Sequence, residues 1–428
     1  LEEALEAYKK SIMIEPEHAD AHYNIGNVLK DQGNFEQAID AYNKAISIKP
    51  DDADAYYNMG NALQDQGKLK EAIEAYEKAI TIKPQKAEAY NNMGFALYIQ
   101  GNLDKAVKAY KNSISIGPAK ADTHYNMGNA LKDQGKLDEA IKAYKNAISK
   151  NPNYHQVYND MGIILKEQGK FNESIEAYRT AVSIKPDYAV AYNNMGNVLR
   201  KKGNKKEAIE AYDKALLINP EDENAQYLRA TLLGLKPETA PRKYVEDLFD
   251  SYAKKFESTL VGELDYKTPK LISDLLISMN NTGSLGSILD LGCGTGLVGQ
   301  ELRTYCSNLV GIDLSKNMLE EARSKNVYDK LIQIEILEYL SCTKIDFDYF
   351  ISADVFVYIG DLSEIFNSIK CNNRKNGKLV FSTEHTKQDG FHLQKTGRFS
   401  HSKSYIENLC KQFGYEIVHF STSDLRKN

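Results

Sequence analysis

The sequence predicts two fold classes in one chain: an α-solenoid of stacked helix pairs, then an α/β domain of Rossmann-like type. Prolines and glycines recur every 34 residues through the first half. Beyond Leu235 that period is lost, and short apolar strands alternate with helical patterns, as in a parallel sheet covered on both faces. Where the alternation begins, "SILDLGCGTGLVG" (287–299) sets glycines between a strand and a helix, at the switch point where such sheets bind ligands.

A length of 428 residues fits two domains, and 42% apolar with 26% charged residues is ordinary for globular chains. The net charge of −5 gives no basic bias, so nucleic acid is not an expected partner. The run "RKKGNKKE" (200–207) falls on a turn between helices and reads as a solvated face. All five cysteines (Cys293, Cys306, Cys342, Cys371, Cys410) follow residue 290 without CxxC spacing, which predicts free thiols in a reducing compartment and no metal site. With no stretch near 18 apolar residues and no signal-peptide pattern, the expectation is a cytoplasmic protein without a membrane partner. The chain opens at Leu1 inside a helical pattern, so truncation is expected there.

In the first half, Pro50, Pro84, Pro118, Pro152, Pro186 and Pro220 keep one register, with Pro16 in phase ahead of them. Gly26, Gly60, Gly94, Gly128, Gly162 and Gly196 form a second row, and Gly33, Gly67, Gly101, Gly135, Gly169 and Gly203 a third. This predicts a half repeat over 1–18, six full repeats over 19–222 and a capping helix over 223–233, together the solenoid 1–235. In "ADAYYNMGNALQDQGKLKEAIEAYEKAITIKP" the first helix carries Tyr56, Met59, Gly60 and Leu63 on one stripe. Gly67 ends it, and the second helix runs from Leu69 to a stop at Pro84.

These units resemble the tetratricopeptide repeat. His22, Tyr56, Tyr90, His124, Tyr158 and Tyr192 stand at its early bulky position, and Tyr42, Tyr76, Tyr110, Tyr144, Tyr178 and Tyr212 at its later aromatic one. The resemblance implies a right-handed superhelix whose concave face, lined by the first helix of each repeat, takes a protein or extended peptide. Two polar rows recur on that helix: Asn24, Asn58, Asn92, Asn126, Asp160, Asn194, and Asn27, Asn61, Phe95, Asn129, Ile163, Asn197. They lie i, i+3 apart, on one face. They are similar to the asparagine ladder of O-linked N-acetylglucosamine transferases, which makes the asparagines candidate peptide ligands. The other open reading has them bonding neighbouring helices within the solenoid, and Phe95 and Ile163 interrupt the second row under either.

A linker is expected over 236–243 and a second domain over 244–428, with leading lid helices in 244–282 and a sheet core over 287–428. Strands are predicted at "SILDLGC", "NLVGIDL", "KLIQIEIL", "FDYFISADVF", "GKLVFSTE" and "YEIVHFST". Helices are predicted near 299–306 and at "SKNMLEEARSKN", "LSEIFNSIK" and "SKSYIENLCKQFG". Gly294, Gly296 and Gly299 also fit G-x-G-x-x-G, the dinucleotide fingerprint.

"ILDLGCGTG" resembles the first motif of class I methyltransferases, which implies S-adenosylmethionine as cofactor. In that family an acid placed like Asp290 interacts with the charged amino end of the ligand's methionine; a pyrophosphate would be repelled there. Asp313, ending "VGID", offers a carboxylate to both ribose hydroxyls, a role equally suited to a nicotinamide nucleotide. Glu335 takes the place of the family's third acid, near adenine. The implied cofactor set is Asp290, Gly292, Cys293, Gly294, Gly296, Asp313, Leu314, Met318, Glu335 and Ile336, with Cys293 also readable as a small filler.

The segments "YVEDLFDSYAKKFESTLVGELDYKTPKLI", "ADVFVYIGDL" and "GRFSHSKSYIENLCKQFGYEIV" resemble a bacterial group of methyltransferases with repeats at their amino end. The last antiparallel strand usual in class I domains is expected to be missing, since the chain stops at Asn428. Asp354 is the candidate catalytic residue, followed by Tyr358, Glu384, His385 and His401. Tyr252, Phe256 and Tyr266 suit either a lid or core packing. "ADVF" departs from the N-P-P-Y motif of amide or adenine amino methylation. Two functions compete: a methyltransferase guided by a peptide-binding array, and a peptide-binding scaffold with a vestigial methyltransferase domain. A nicotinamide-dependent oxidoreductase comes third.

Overall fold

The computed structural model describes residues 2–117, 120–235, 237–258, 266–280, 283–342 and 345–423. Pro118, Lys236, residues 259–265 and 281–282 of the expected lid segment, and 424–428 lie outside the described residues. The chain divides into two compact units, Leu1–Asn204 and Lys205–Asn428.

The first unit is a stack of helix pairs. After α1 (Glu2–Ile14) come α2 (Ala19–Asp31) and α3 (Phe35–Ile48), then α4 (Ala53–Asp65) and α5 (Leu69–Ile82). They are followed by α6 (Ala87–Ile99) with α7 (Leu103–Ile116), and α8 (Ala121–Asp133) with α9 (Leu137–Lys150). The unit ends with α10 (His155–Glu167), α11 (Phe171–Ile184) and α12 (Ala189–Lys201). Each pair turns through a left-handed glycine, φ 78° at Gly67, a conformation that costs glycine nothing. The other glycine row answers a packing demand: a Cβ on Gly60 would stand 2.6 Å from Cε1 of Tyr76. Missing side chains there let Tyr42, Tyr76, Tyr110, Tyr144 and Tyr178 sink fully into the stack.

The tyrosine hydroxyls go to the asparagine rows. Tyr42 donates to Asn27 Oδ1 (2.8 Å), Tyr76 to Asn61 Oδ1 (2.9 Å) and Tyr144 to Asn129 Oδ1 (2.6 Å). The next repeat then joins in. Asn58 Nδ2 donates to Asn27 Oδ1 (3.1 Å) and the Tyr23 hydroxyl (2.7 Å), and Asn92 Nδ2 to Asn61 Oδ1 (2.8 Å). Asn194 reaches Asn159 (3.1 Å) in the same manner. These amides bind tyrosines and neighbouring helices, the bonds that the second reading names. Where Phe95 and Ile163 break the row, the bond is lost. The Tyr110 hydroxyl is buried without a partner. The Tyr178 hydroxyl also lacks one within bonding geometry, and neighbouring Ser174 already donates to the Gly162 carbonyl (2.7 Å).

The second unit starts with α13 (Lys205–Ile218) and α14 (Glu223–Leu233). Then come α15 (Arg242–Glu257), α16 (Thr268–Ser278), β1 (Ser287–Leu291), α17 (Leu297–Leu302), β2 (Asn308–Asp313) and α18 (Lys316–Ser324). They lead to β3 (Lys330–Gln333), α19 (Ile336–Cys342), β4 (Tyr349–Ser352), α20 (Ser363–Asn372) and β5 (Lys378–Phe381). Last are the short strands β6 (Glu384–His385), β7 (Phe391–Leu393) and β8 (Phe399–His401), and α21 (Lys403–Phe413). The main sheet is parallel in the order β3-β2-β1-β4-β5, with Asp290 beside Gly311 and Ile351. Alternate β1 residues face opposite cores: Leu289 and Leu291 join the core with Phe350 and Phe366, while Ile288 packs with Ile351 and Ile272. The small β6-β8-β7 sheet has no counterpart among the predicted strands.

Two predicted strands are corrected. "KLIQIEIL" extends only to Gln333; Glu335 then accepts the Glu338 amide (2.9 Å), capping a helix that buries Ile336 and Leu340 one turn apart. "YEIVHFST" is not a strand. Helix α21 ends at left-handed Gly414, and Tyr415 is held by its hydroxyl on the Phe366 carbonyl (2.9 Å), with Ile417, Val418 and Phe420 exposed beyond it.

Tyr110→Phe is expected to leave thermal stability unchanged or raise it, because no bond is lost. Tyr144→Phe should cost about 1 kcal/mol by stranding Asn129. Paired denaturation curves check this.

Candidate active site

The turn after β1 is shaped by a tyrosine from another part of the sheet. Asp329 accepts the Leu309 amide (2.7 Å) and Arg303 Nη1 (2.6 Å), pinning the approach to β3 against β2. That anchoring brings Tyr328 under the glycine turn. A Cβ on Gly299 would meet its Cζ at 2.5 Å, one on Gly311 its Cε1 at 2.9 Å and one on Gly296 its Cε2 at 3.0 Å. Gly292 is cleared for Val355. These glycines therefore admit protein side chains, and Gly294 alone in the turn has open space where a Cβ would stand.

The Tyr328 hydroxyl donates to Asp290 Oδ2 (2.7 Å). Asp290 is 1% exposed, and its Oδ1 has no hydrogen-bond partner. Burial pushes its carboxyl up to about 7, and the Asp313 charge adds to this, against the lowering effect of the tyrosine. Asp313 accepts the Gly294 amide on Oδ2 (2.8 Å) and the Ser315 amide on Oδ1 (2.8 Å). Burial raises it to about 6 despite those amides. A buried carboxylate with one oxygen unmatched calls for a cationic or hydrogen-donating ligand. The residues present thus fit the donor that the sequence implied.

The other candidates hold varied places. Cys293 is buried with its sulfur beside Gly311, and burial pushes its thiol well up, in keeping with a filler. Leu314 is half-buried and accepts from Gln333 (3.0 Å). The Met318 side chain belongs to the core, and its amide is capped by Ser315 (3.0 Å). Glu335 is occupied as the cap of α19, where Ile336 faces the core. Sequence reasoning missed Asp250 on α15, which accepts the Ser315 hydroxyl (2.5 Å) and the Asn317 amide (3.2 Å). Glu257 on the same helix pairs with Lys325. On this helix Tyr252 and Phe256 meet edge-on (5.8 Å), as Phe249 does with Tyr358 (5.4 Å).

Asp354 does not stand as an unencumbered base. It is held in left-handed backbone (φ 64°), its Oδ1 bonds Arg398 Nη2 (2.7 Å), and Arg398 Nε lies 2.6 Å from Glu384 Oε1. The guanidinium covers the Tyr358 ring (5.6 Å). His401 is withdrawn from chemistry: Nδ1 meets Thr383 (2.5 Å), Nε2 meets the Gly360 carbonyl (2.9 Å), and burial lowers its pKa. His385 is exposed on β6. No group of three or more metal-ligating side chains occurs among the described residues, and none of their helices is long and apolar enough to cross a membrane.

Asp290→Asn is expected to raise the melting temperature at pH 8 relative to the parent and to leave it nearly unchanged at pH 4. With a folded pKa near 7 above the unfolded value, the native state alone holds the proton between those limits, so parent stability falls as pH rises through that window. Melting curves across the range check the sign.

Comparison with known proteins finds two families along the chain. The family "TPR repeat" matches residues 1–33, 26–67, 60–101, 96–135, 128–169 and 164–203, and "Tetratricopeptide repeat" matches 189–222. "Methyltransferase domain" matches 283–419. An uncharacterized methyltransferase of Schizosaccharomyces pombe is 27% identical over 175 residues, covering 35% of this chain and 60% of the relative. A malonyl-[acyl-carrier protein] O-methyltransferase of Bacillus anthracis is 29% identical over 138 residues, covering 30% and 51%. The chain thus spans less than two thirds of the length of these curated relatives. Among solved structures, YrrB, described as a TPR protein with an unusual peptide-binding site, aligns at TM-score 0.40 and 26% identity, over 44% of this chain and 96% of that one. The chain belongs to the proteins that join a tetratricopeptide-repeat array to a class I methyltransferase domain.

Proposed function

We propose that the chain is an S-adenosylmethionine-dependent methyltransferase whose repeat array recruits a protein or extended peptide. The unmatched Oδ1 of buried Asp290, at the end of the strand that leads into the open Gly294 turn, is the observation that carries this reading. When bound, S-adenosylmethionine supplies a methyl group on a sulfonium for transfer to a nucleophilic atom.

The chain's own residues divide the work. Asp290 offers its unmatched oxygen to a cationic end, and a diphosphate in its place would meet a buried and a half-buried carboxyl group. Asp313 keeps lone pairs for ribose hydroxyls while its amide bonds fix its orientation. Helix α15, fastened by Asp250 to Ser315, sets Phe249 against Tyr358 and helps keep water from the β4 end. Asp354, clamped by Arg398, orients rather than deprotonates.

Calorimetry of the full chain with S-adenosylhomocysteine is expected to give a dissociation constant of about micromolar order. Asp313→Ala should weaken it by about tenfold or more, since two anchored amides lose their acceptor. Absence of heat at sub-millimolar ligand with the folded parent would overturn the reading.

A further inference from the structure

Midway along the first unit the seam of first helices changes its chemistry. Helices α2 and α4 meet through the asparagine network, but in α6 Phe95 replaces the amide and is 37% exposed. One turn on, Ile99 is 53% exposed, so both apolar side chains project from one face. Beside this spot the amide ladder gives way to tyrosine–acid pairs. Tyr98 donates to Asp133 Oδ2 (2.7 Å) and Tyr125 to Asp160 Oδ2 (2.7 Å), each bridging to the following repeat. Helices α6, α8 and α10 carry five acids against two lysines, Lys132 and Lys166.

We infer that α6–α10 dock an extended peptide in which an apolar side chain lies between lysine or arginine residues. The apolar group covers Phe95 and Ile99, and the cations answer Asp133 and Asp160. An exposed apolar pair beside an acidic surface favours this class by charge, and the same acids repel phosphate-bearing partners. The inference rests on the array being a peptide binder and adds which peptides it takes.

The test pans a random peptide display library on the full chain, then titrates a labelled synthetic peptide with a leucine flanked by lysines. Lysine- or arginine-flanked apolar sequences should be enriched. Phe95→Asn should weaken the synthetic peptide about tenfold without lowering the melting temperature, because the introduced amide gives the Tyr110 hydroxyl a partner. Asp133→Asn combined with Asp160→Asn should weaken binding and flatten its salt dependence. Enrichment of acidic or uncharged peptides, or unchanged affinity in Phe95→Asn, overturns the inference and leaves the array a peptide binder. No enrichment at all overturns both. A concentration-dependent dimer that blocks the library would assign the face to a second copy and likewise contradict the proposal.

Discussion

The hydrogen bond from Tyr328 to Asp290 governs the second unit's chemistry. It satisfies one oxygen of a carboxyl that burial has stripped of water and leaves the other unmatched. To admit that ring, the turn, helix α17 and the neighbouring strand must lack side chains at Gly296, Gly299 and Gly311 respectively. A glycine spacing that matches a dinucleotide fingerprint is thus explained here by an internal tyrosine. The same turn keeps only Gly294 open, which narrows where a ligand's backbone-close atoms could lie.

The array obeys a related economy. A buried tyrosine needs a glycine opposite its ring and an amide for its hydroxyl. Repeats that supply both are closed networks; those with Phe95 or Ile163 keep the packing and forgo the bond. A buried hydroxyl without a partner is costly. The exchange of amide for apolar side chain therefore asks for some return at the surface, and exposed Phe95 is where one is available.

Much of this was legible in the sequence because periodicity is redundant: each helix pair repeats its proline, glycine and tyrosine. The first strand, the glycine turn and Asp313 were readable because apolar runs and acids there follow chain order. Tyr328 was not, since a single tyrosine far along the chain has no period; glycine inside the strand "LVGID" was the signal, marking close approach of another group. Arg398 escaped for the same reason, its partners Asp354 and Glu384 being adjacent only in space. The false strand at "IEIL" arose because alternating apolar residues over a short run also suit one turn of helix. At "YEIVHFST" apolar content alone suggests a strand, and the described residues supply no partner for it. The asparagine rows are legible as a period, while their bonds within the solenoid depend on stacking that one repeat cannot display.

Asp290 connects the structural argument with the functional one, because a carboxyl with a pKa of about 7 must give up its proton to face a cation. Calorimetric titration of S-adenosylhomocysteine near pH 6.5, repeated in buffers of differing ionisation enthalpy, reads that proton directly. The account predicts net proton release on binding that disappears in Asp290→Asn. Binding with no proton exchange in the parent would contradict it.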